Sequence, residues 1–181
     1  MSKIKVLLLR GVNVAGANRL PMPEFRQMLL EQGLTQVQTH IQSGNAVYVD
    51  SGVADAEARI AAAMKDRFGF APPMFVMDLA EYDAILAANP FHKQGAADGS
   101  KVHIFFLAAP ADKAAIAVVS GFAKDGEALV QTDRALYMNA PNGIGRSVMA
   151  DKLARAVKVD MTARNYGSAA AIAALARTIT L

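Results

Sequence analysis

The stretch Leu7 to Asn18, LLLRGVNVAGAN, constrains the fold more than any other part of the chain. An unbroken apolar run of this kind suits a strand covered on both faces, in the middle of a sheet. The run stops at an arginine, and the loop behind it holds two glycines and two asparagines. Those residue types accept the positive φ angles of tight turns. A buried strand ending in Arg-Gly-x-Asn delivers Arg10 and Asn13 to a surface. A second stretch, Gln42-Ser43-Gly44-Asn45, sits between two further strand-like runs and is expected to be its partner.

The remaining elements follow in order. Lys3 to Arg10 is predicted as the first strand. Met22 to Gln32 is predicted as a helix, with Pro21 and Pro23 near its first turn, Gly33 beyond its end, and Met22, Phe25, Met28 and Leu29 on one face. Gln36 to Gln42 and Ala46 to Asp50 are strands, with Val47 and Val49 alternating against Tyr48. Hairpin chemistry joins them at Ser43-Gly44-Asn45. Val53 to Phe68 is a helix and Pro73 to Met77 a fourth strand. This order, βαββαβ, is the ferredoxin-like pattern. Asp78 to Ala88 reads as a further helix, stopped by Asn89-Pro90-Phe91. His92 to Ser100 has Gly and Ser but no apolar residue larger than Ala, and marks the expected domain boundary.

A second unit repeats the pattern. Val102 to Leu107 is a strand and Ala111 to Ser120 a helix. Glu127 to Gln131 and Ala135 to Met138 form a hairpin, and Asn142 to Ser147 is a loop feeding a helix over Val148 to Val157. A last helix runs from Tyr166 to Arg177, in place of the final strand. The expected fold class is therefore α+β: two ferredoxin-like (βαββαβ-type) subdomains with antiparallel sheets, the second ending in an extra C-terminal helix. The expected boundaries are residues 1–78, a helix and linker over 79–100, and a βαββα subdomain plus C-terminal helix over 101–181.

Composition bounds the function classes. With 53% hydrophobic and 19% charged residues the chain buries a core. It has no cysteine, which excludes disulfides and thiolate zinc sites. His40, His92 and His103 lack metal-ligand spacing, so no metal is expected, and no cofactor fingerprint is present. The apolar run near the N-terminus is about five residues, too short for a signal peptide or membrane span. A soluble, cytoplasmic protein with no membrane partner is expected. The net charge of +3 is unevenly placed. No acid precedes Glu24, whereas Lys3, Lys5, Arg10 and Arg19 do; from Arg134 to Arg164 six bases face two acids. Brought together in space, the two basic ends make one face; ordinary solvated charges account for the pattern equally well.

Taken together, LLRGVNVAG (Leu8 to Gly16), THIQSGNAVY (Thr39 to Tyr48), NPF (Asn89 to Phe91), LYMNAPNGIGRS (Leu136 to Ser147) and TARNYGS (Thr162 to Ser168) give the chain a resemblance to the family DUF1697. The resemblance covers nearly the whole chain. It implies tandem α+β, ferredoxin-like units, found mainly in bacterial proteins, and carries no established activity. The family pattern usually has an aromatic where His40 stands and often Trp where Tyr166 stands, so His40 is not taken as a site residue.

Among the polar positions, the Arg10 guanidinium suits a phosphate or carboxylate, or a tie between its loop and the Gln42–Asn45 turn. Asn13 suits an Asx-type closure of its own loop, with ligand contact as the alternative. Gln42, Ser43 and Asn45 flank the hairpin glycine. Ser43 lacks the strand-turn-helix setting of a nucleophile, and hydrogen bonding of the turn is its expected role. Gly143 to Ser147 has the form of an anion site before a helix, with Arg146 as donor and Ser147 as N-cap or contact. Arg164 is a second anion contact or a clamp, and Asn165 with Ser168 caps the last helix; Arg10, Asn13, Gln42, Ser43, Asn45, Arg146, Ser147, Arg164 and Asn165 are together the candidate ligand- or anion-binding positions.

Two functional classes follow. One is a binding module for a phosphate-bearing or other anionic ligand, nucleic acid included, at a basic face between the subdomains. The other is an enzyme on a small anionic metabolite in the inter-subdomain cleft, for which no nucleophile, base or metal is identifiable. RNA binding through an open sheet is disfavoured: Phe105 and Phe106 point to opposite faces, and the motif of the common RNA-binding sheet is missing. A third account makes the shared segments the glue of the fold.

Overall fold

A computed structural model of the protein describes residues 3–181. Packing divides the chain into two compact units, residues 1–83 with 171–181, and residues 84–170.

The first unit contains strand β1 (Lys3–Leu9), helix α1 (Met22–Glu31), β2 (Thr35–His40), β3 (Asn45–Asp50), α2 (Ala56–Phe68) and β4 (Met74–Asp78). Its antiparallel sheet has the order β2-β3-β1-β4, which puts β1 at the centre as its apolar run demands. Leu8 lies opposite Asn45 on one side and Phe75 on the other. Leu7, Leu9, Ala46 and Tyr48 turn one face of the sheet to Phe25, Met28 and Leu29 of α1 and to Ile60 and Met64 of α2. Burying each large apolar side chain contributes about 1.5–3 kcal/mol. Val6, Leu8, Val47 and Val49 on the opposite face are buried as well. The alternation of Val47 and Val49 against Tyr48 is therefore real but does not separate core from solvent. Burial also pushes the Tyr48 hydroxyl pKa well above its ordinary value, and Asp50 and Glu57 add to the shift.

Residues 79–100 hold two helices, α3 (Leu79–Ala87) and α4 (His92–Ala97). The first stops where Pro90 requires, and Asn89 Oδ1 accepts a 2.9 Å hydrogen bond from the Phe91 N–H. The stretch His92 to Ser100, read from sequence as linker at the domain boundary, holds the short helix α4. That segment looks like linker because its buried position is a glycine: a Cβ on Gly95 would sit 2.5 Å from the Tyr166 ring. The helix docks by lacking a side chain.

The second unit contains β5 (Val102–Leu107), α5 (Lys113–Ser120), β6 (Ala128–Gln131), β7 (Ala135–Asn139), α6 (Val148–Ala156) and β8 (Met161–Asn165), followed by the start of α7 (Tyr166–Ala176), whose residues from 171 on belong to the first unit. Its sheet has the order β6-β7-β5-β8. The fold class is as expected, two antiparallel sheets with the second unit ending in a helix. One element corrects the expectation: the final strand is not replaced by the helix but precedes it. Sequence reading passes over β8 because its buried positions are Thr162 and Arg164. Strand periodicity looks for apolar residues at those alternating sites.

Both faces of β5 are covered. Phe105 is 7% exposed and Phe106 1%, so neither ring is offered to a base. Among the described residues, no helix is long and apolar enough to cross a membrane.

Candidate functional site

The candidate positions form two local groups, Arg10 to Asn45 in the first unit and Arg146 to Asn165 in the second. In the first group, the loop after β1 folds back as a miniature hairpin, with an isolated bridge between Val14 and Ala17. Its central residues Ala15 and Gly16 have φ of 49° and 80°. Positive φ at both is what a tight hairpin twisting with its strands needs. Asn13 locks this hairpin. Its Oδ1 accepts from the Leu20 N–H at 2.8 Å, and its Nδ2 donates to the Leu20 carbonyl at 2.9 Å and to the Gln42 carbonyl at 2.7 Å. The Asn13 amide thus closes its own loop and ties it to the turn after β2. Arg10 is exposed, directly after the buried end of β1, and its backbone N–H donates to the Pro73 carbonyl.

The turn carries a correction. Asn45 is not a turn residue with positive φ but the first residue of β3, fully buried. Its Nδ2 donates to the His40 carbonyl and to Ser43 Oγ, closing the turn from within the strand. The left-handed positions are Ile41, with φ 48°, and Gly44, with φ 75°. Gly44 is also packed against the strand end: a Cβ there would lie 2.6 Å from Val12 Cγ2 and 2.8 Å from Leu9 Cβ. Gln42 is exposed and joins this network through its carbonyl.

In the second group, Ser147 is the N-cap of α6: its Oγ accepts from the Ala150 N–H at 3.0 Å. Asn165 plays the same part for α7, accepting from the Ser168 N–H at 2.8 Å. Arg164 lies in β8, 7% exposed, and its Nη1 donates to Thr162 Oγ1 and to the Ala163 carbonyl. Buried guanidinium groups persist only when hydrogen-bonded, and Arg164 is built into the sheet in that way.

Arg146 differs. It is exposed, at the end of a short 3-10 turn over Ile144–Arg146. With Lys124, Asp125, Glu127, Asn142, Gly143 and Val148 it lines a cavity of about 290 Å³. Strand register builds this cavity. Ala128 at the start of β6 pairs with Asn139 at the end of β7, which sets the turn before β6 beside the loop after β7. Asn139 Nδ2 fastens the two by donating to the Gly126 carbonyl at 3.0 Å. Gly143, with φ 91°, turns the chain toward the N-cap. Glu127 Oε2 accepts from the Lys124 backbone N–H at 3.1 Å and is held in place on the wall.

Sequence reasoning singled out Arg146 but missed Lys124, Asp125, Glu127 and Asn142. The Asp125-Gly126 pair marks a turn, yet only the β6–β7 register brings that turn to the loop fifteen or more residues downstream. Among the described residues no cluster of three or more His, Asp or Glu is placed to hold a metal ion. His103 is half-buried on β5, and burial lowers its pKa from the ordinary 6.5.

The structure is similar to that of a conserved bacterial protein from Streptococcus pneumoniae, with a TM-score of 0.75 at 22% identity over 97% of this chain and 99% of that one. At that identity the likeness establishes a shared fold. Among curated proteins none matches the sequence. A family model described as a protein of unknown function, DUF1697, matches residues 1–137, and on that match the chain belongs to the DUF1697 family.

Proposed function

We propose that the protein is a binding module for a small anionic ligand, phosphate-bearing or carboxylate, and that the cavity beside Arg146 takes it. The observation that carries this is that Arg146 and Lys124 line one cavity. A planar guanidinium presents paired N–H donors to a phosphate or carboxylate, and lysine adds a compact charge. The N-terminus of α6 lies next to it, and its dipole favours negative charge over the same space. In the first unit, the Asn13, Ser43 and Asn45 side chains make hydrogen bonds that fold the loops, which favours the second unit in this reading.

The test is a titration of inorganic phosphate and small carboxylates, followed by thermal shift and by amide chemical shifts of residues 142–148. A ligand held at a hundred times its dissociation constant stabilises by about 2.7 kcal/mol. The expected result is a rise in melting temperature that Arg146→Gln abolishes. Shifts unaffected by Arg146→Gln, or no response to any anion, would refute the assignment.

A further inference from the structure

We infer that the ligand of this cavity is a zwitterion, a small molecule carrying a protonated amine as well as its phosphate or carboxylate; this rests on the anion assignment above and sharpens it. The wall is not uniformly basic. Asp125 and Glu127 stand on it with Lys124 and Arg146. A purely anionic ligand, and a polyanion above all, meets two carboxylates there and loses part of what the two cations supply. Like charges brought together cost as much as opposite charges gain.

The four charges do not neutralise one another. Among the described residues, the side chains of Lys124, Asp125 and Arg146 have no hydrogen-bond or ion-pair partner. Glu127 spends one oxygen on a backbone N–H. Oppositely charged side chains on one small cavity that leave each other unpaired present separate positive and negative points. A molecule with an anion at one end and an ammonium at the other matches both.

Size and lining narrow the class. A cavity near 290 Å³ stands at the lower end of the range for small-molecule sites. Val148 supplies one aliphatic wall, and Asn142 supplies an amide able to donate and accept. The fit is to an amino acid or a short amino-phosphate, with the anion at Arg146, the ammonium at Asp125 and a short aliphatic stem between them.

Paired probes on the intact protein test this: inorganic phosphate against phosphoethanolamine, and propionate against β-alanine, each titrated by calorimetry and by amide shifts. The aminated member of at least one pair is expected to bind about fivefold more tightly, as one solvent-exposed charge pair allows. The pair that shows the preference identifies the anion. Asp125→Asn should erase the preference while phosphate or propionate binds more tightly than to the unaltered protein, because one opposing carboxylate is gone. Asparagine tolerates the left-handed backbone at this position, where φ is 53°, so the variant tests charge and not folding. Equal affinities within both pairs would overturn the zwitterion while leaving the anion site standing. Binding of no probe at all would remove both.

Discussion

Gly44→Ala separates backbone strain from packing at the turn after β2, and Gly11→Ala is its control. Both glycines have positive φ, 75° and 66°. Alanine in the left-handed region costs about 1–2 kcal/mol at either site. At Gly11 nothing lies within 4 Å of the added Cβ, so that cost is the whole effect. At Gly44 the Cβ would stand 2.6 Å from Val12 Cγ2 and 2.8 Å from Leu9 Cβ. Leu9 and Val12 are buried, so they yield only by disturbing the core they pack into. Overpacking of this kind costs about 1–3 kcal/mol more. Gly44→Ala should therefore destabilise by about 2–5 kcal/mol, and Gly11→Ala by about 1–2 kcal/mol. The chain has no tryptophan, so urea unfolding is followed by far-ultraviolet circular dichroism. Native-state hydrogen exchange at the Leu9 amide, which donates to the Gly44 carbonyl at 2.8 Å, reads the same site directly. A Gly44→Ala variant no less stable than Gly11→Ala would refute the packing argument.

The ends of β1 and β4 carry a pH-dependent tie. Lys3 and Lys5 each reach Asp78 at 2.7 Å, and the hydrogen bond from Lys3 is the main cause holding its carboxyl below the usual carboxylate range. A carboxyl whose pKa is depressed on folding stabilises above its unfolded value, near 3.8, and that stability is lost as pH falls through the folded value. Asp78→Asn should flatten the acid limb of the stability profile below about pH 4, and an unchanged limb would refute the tie. At the cavity, Ser147→Ala removes the N-cap of α6 and should cost about 1 kcal/mol. Ser147→Asp, which keeps an acceptor for the Ala150 N–H, should restore most of it in the same melting experiment.

The loops of the first group were partly legible in advance. Gly and Asn signalled turns at 11–18 and 43–45, and Asn13 was expected to close its own loop. That the same amide also reaches the Gln42 carbonyl follows only from the pairing of β1 with β3. The left-handed residue at Ile41 is invisible to sequence rules, since a β-branched residue is a poor choice there. It is held by hydrogen bonds to residues around it, not by its own preference. β8 was missed because its inward positions are polar, and α4 because its contact is made by a missing side chain.

The sequence by itself determined the order of elements in the first unit, the central place of β1, and the family. Those rest on local chemistry: apolar periods, turn residues, proline stops and contiguous motifs. The tertiary structure decided which polar residues are spent and which are free. Asn13, Asn45, Ser147, Arg164 and Asn165 are engaged by the folded backbone around them, and their hydrogen bonds span from one residue to twenty-nine along the chain. The cavity at Arg146 exists only because antiparallel register sets the turn at Lys124–Glu127 beside the loop at Asn142–Ser147, and register depends on a partner strand that no local stretch encodes.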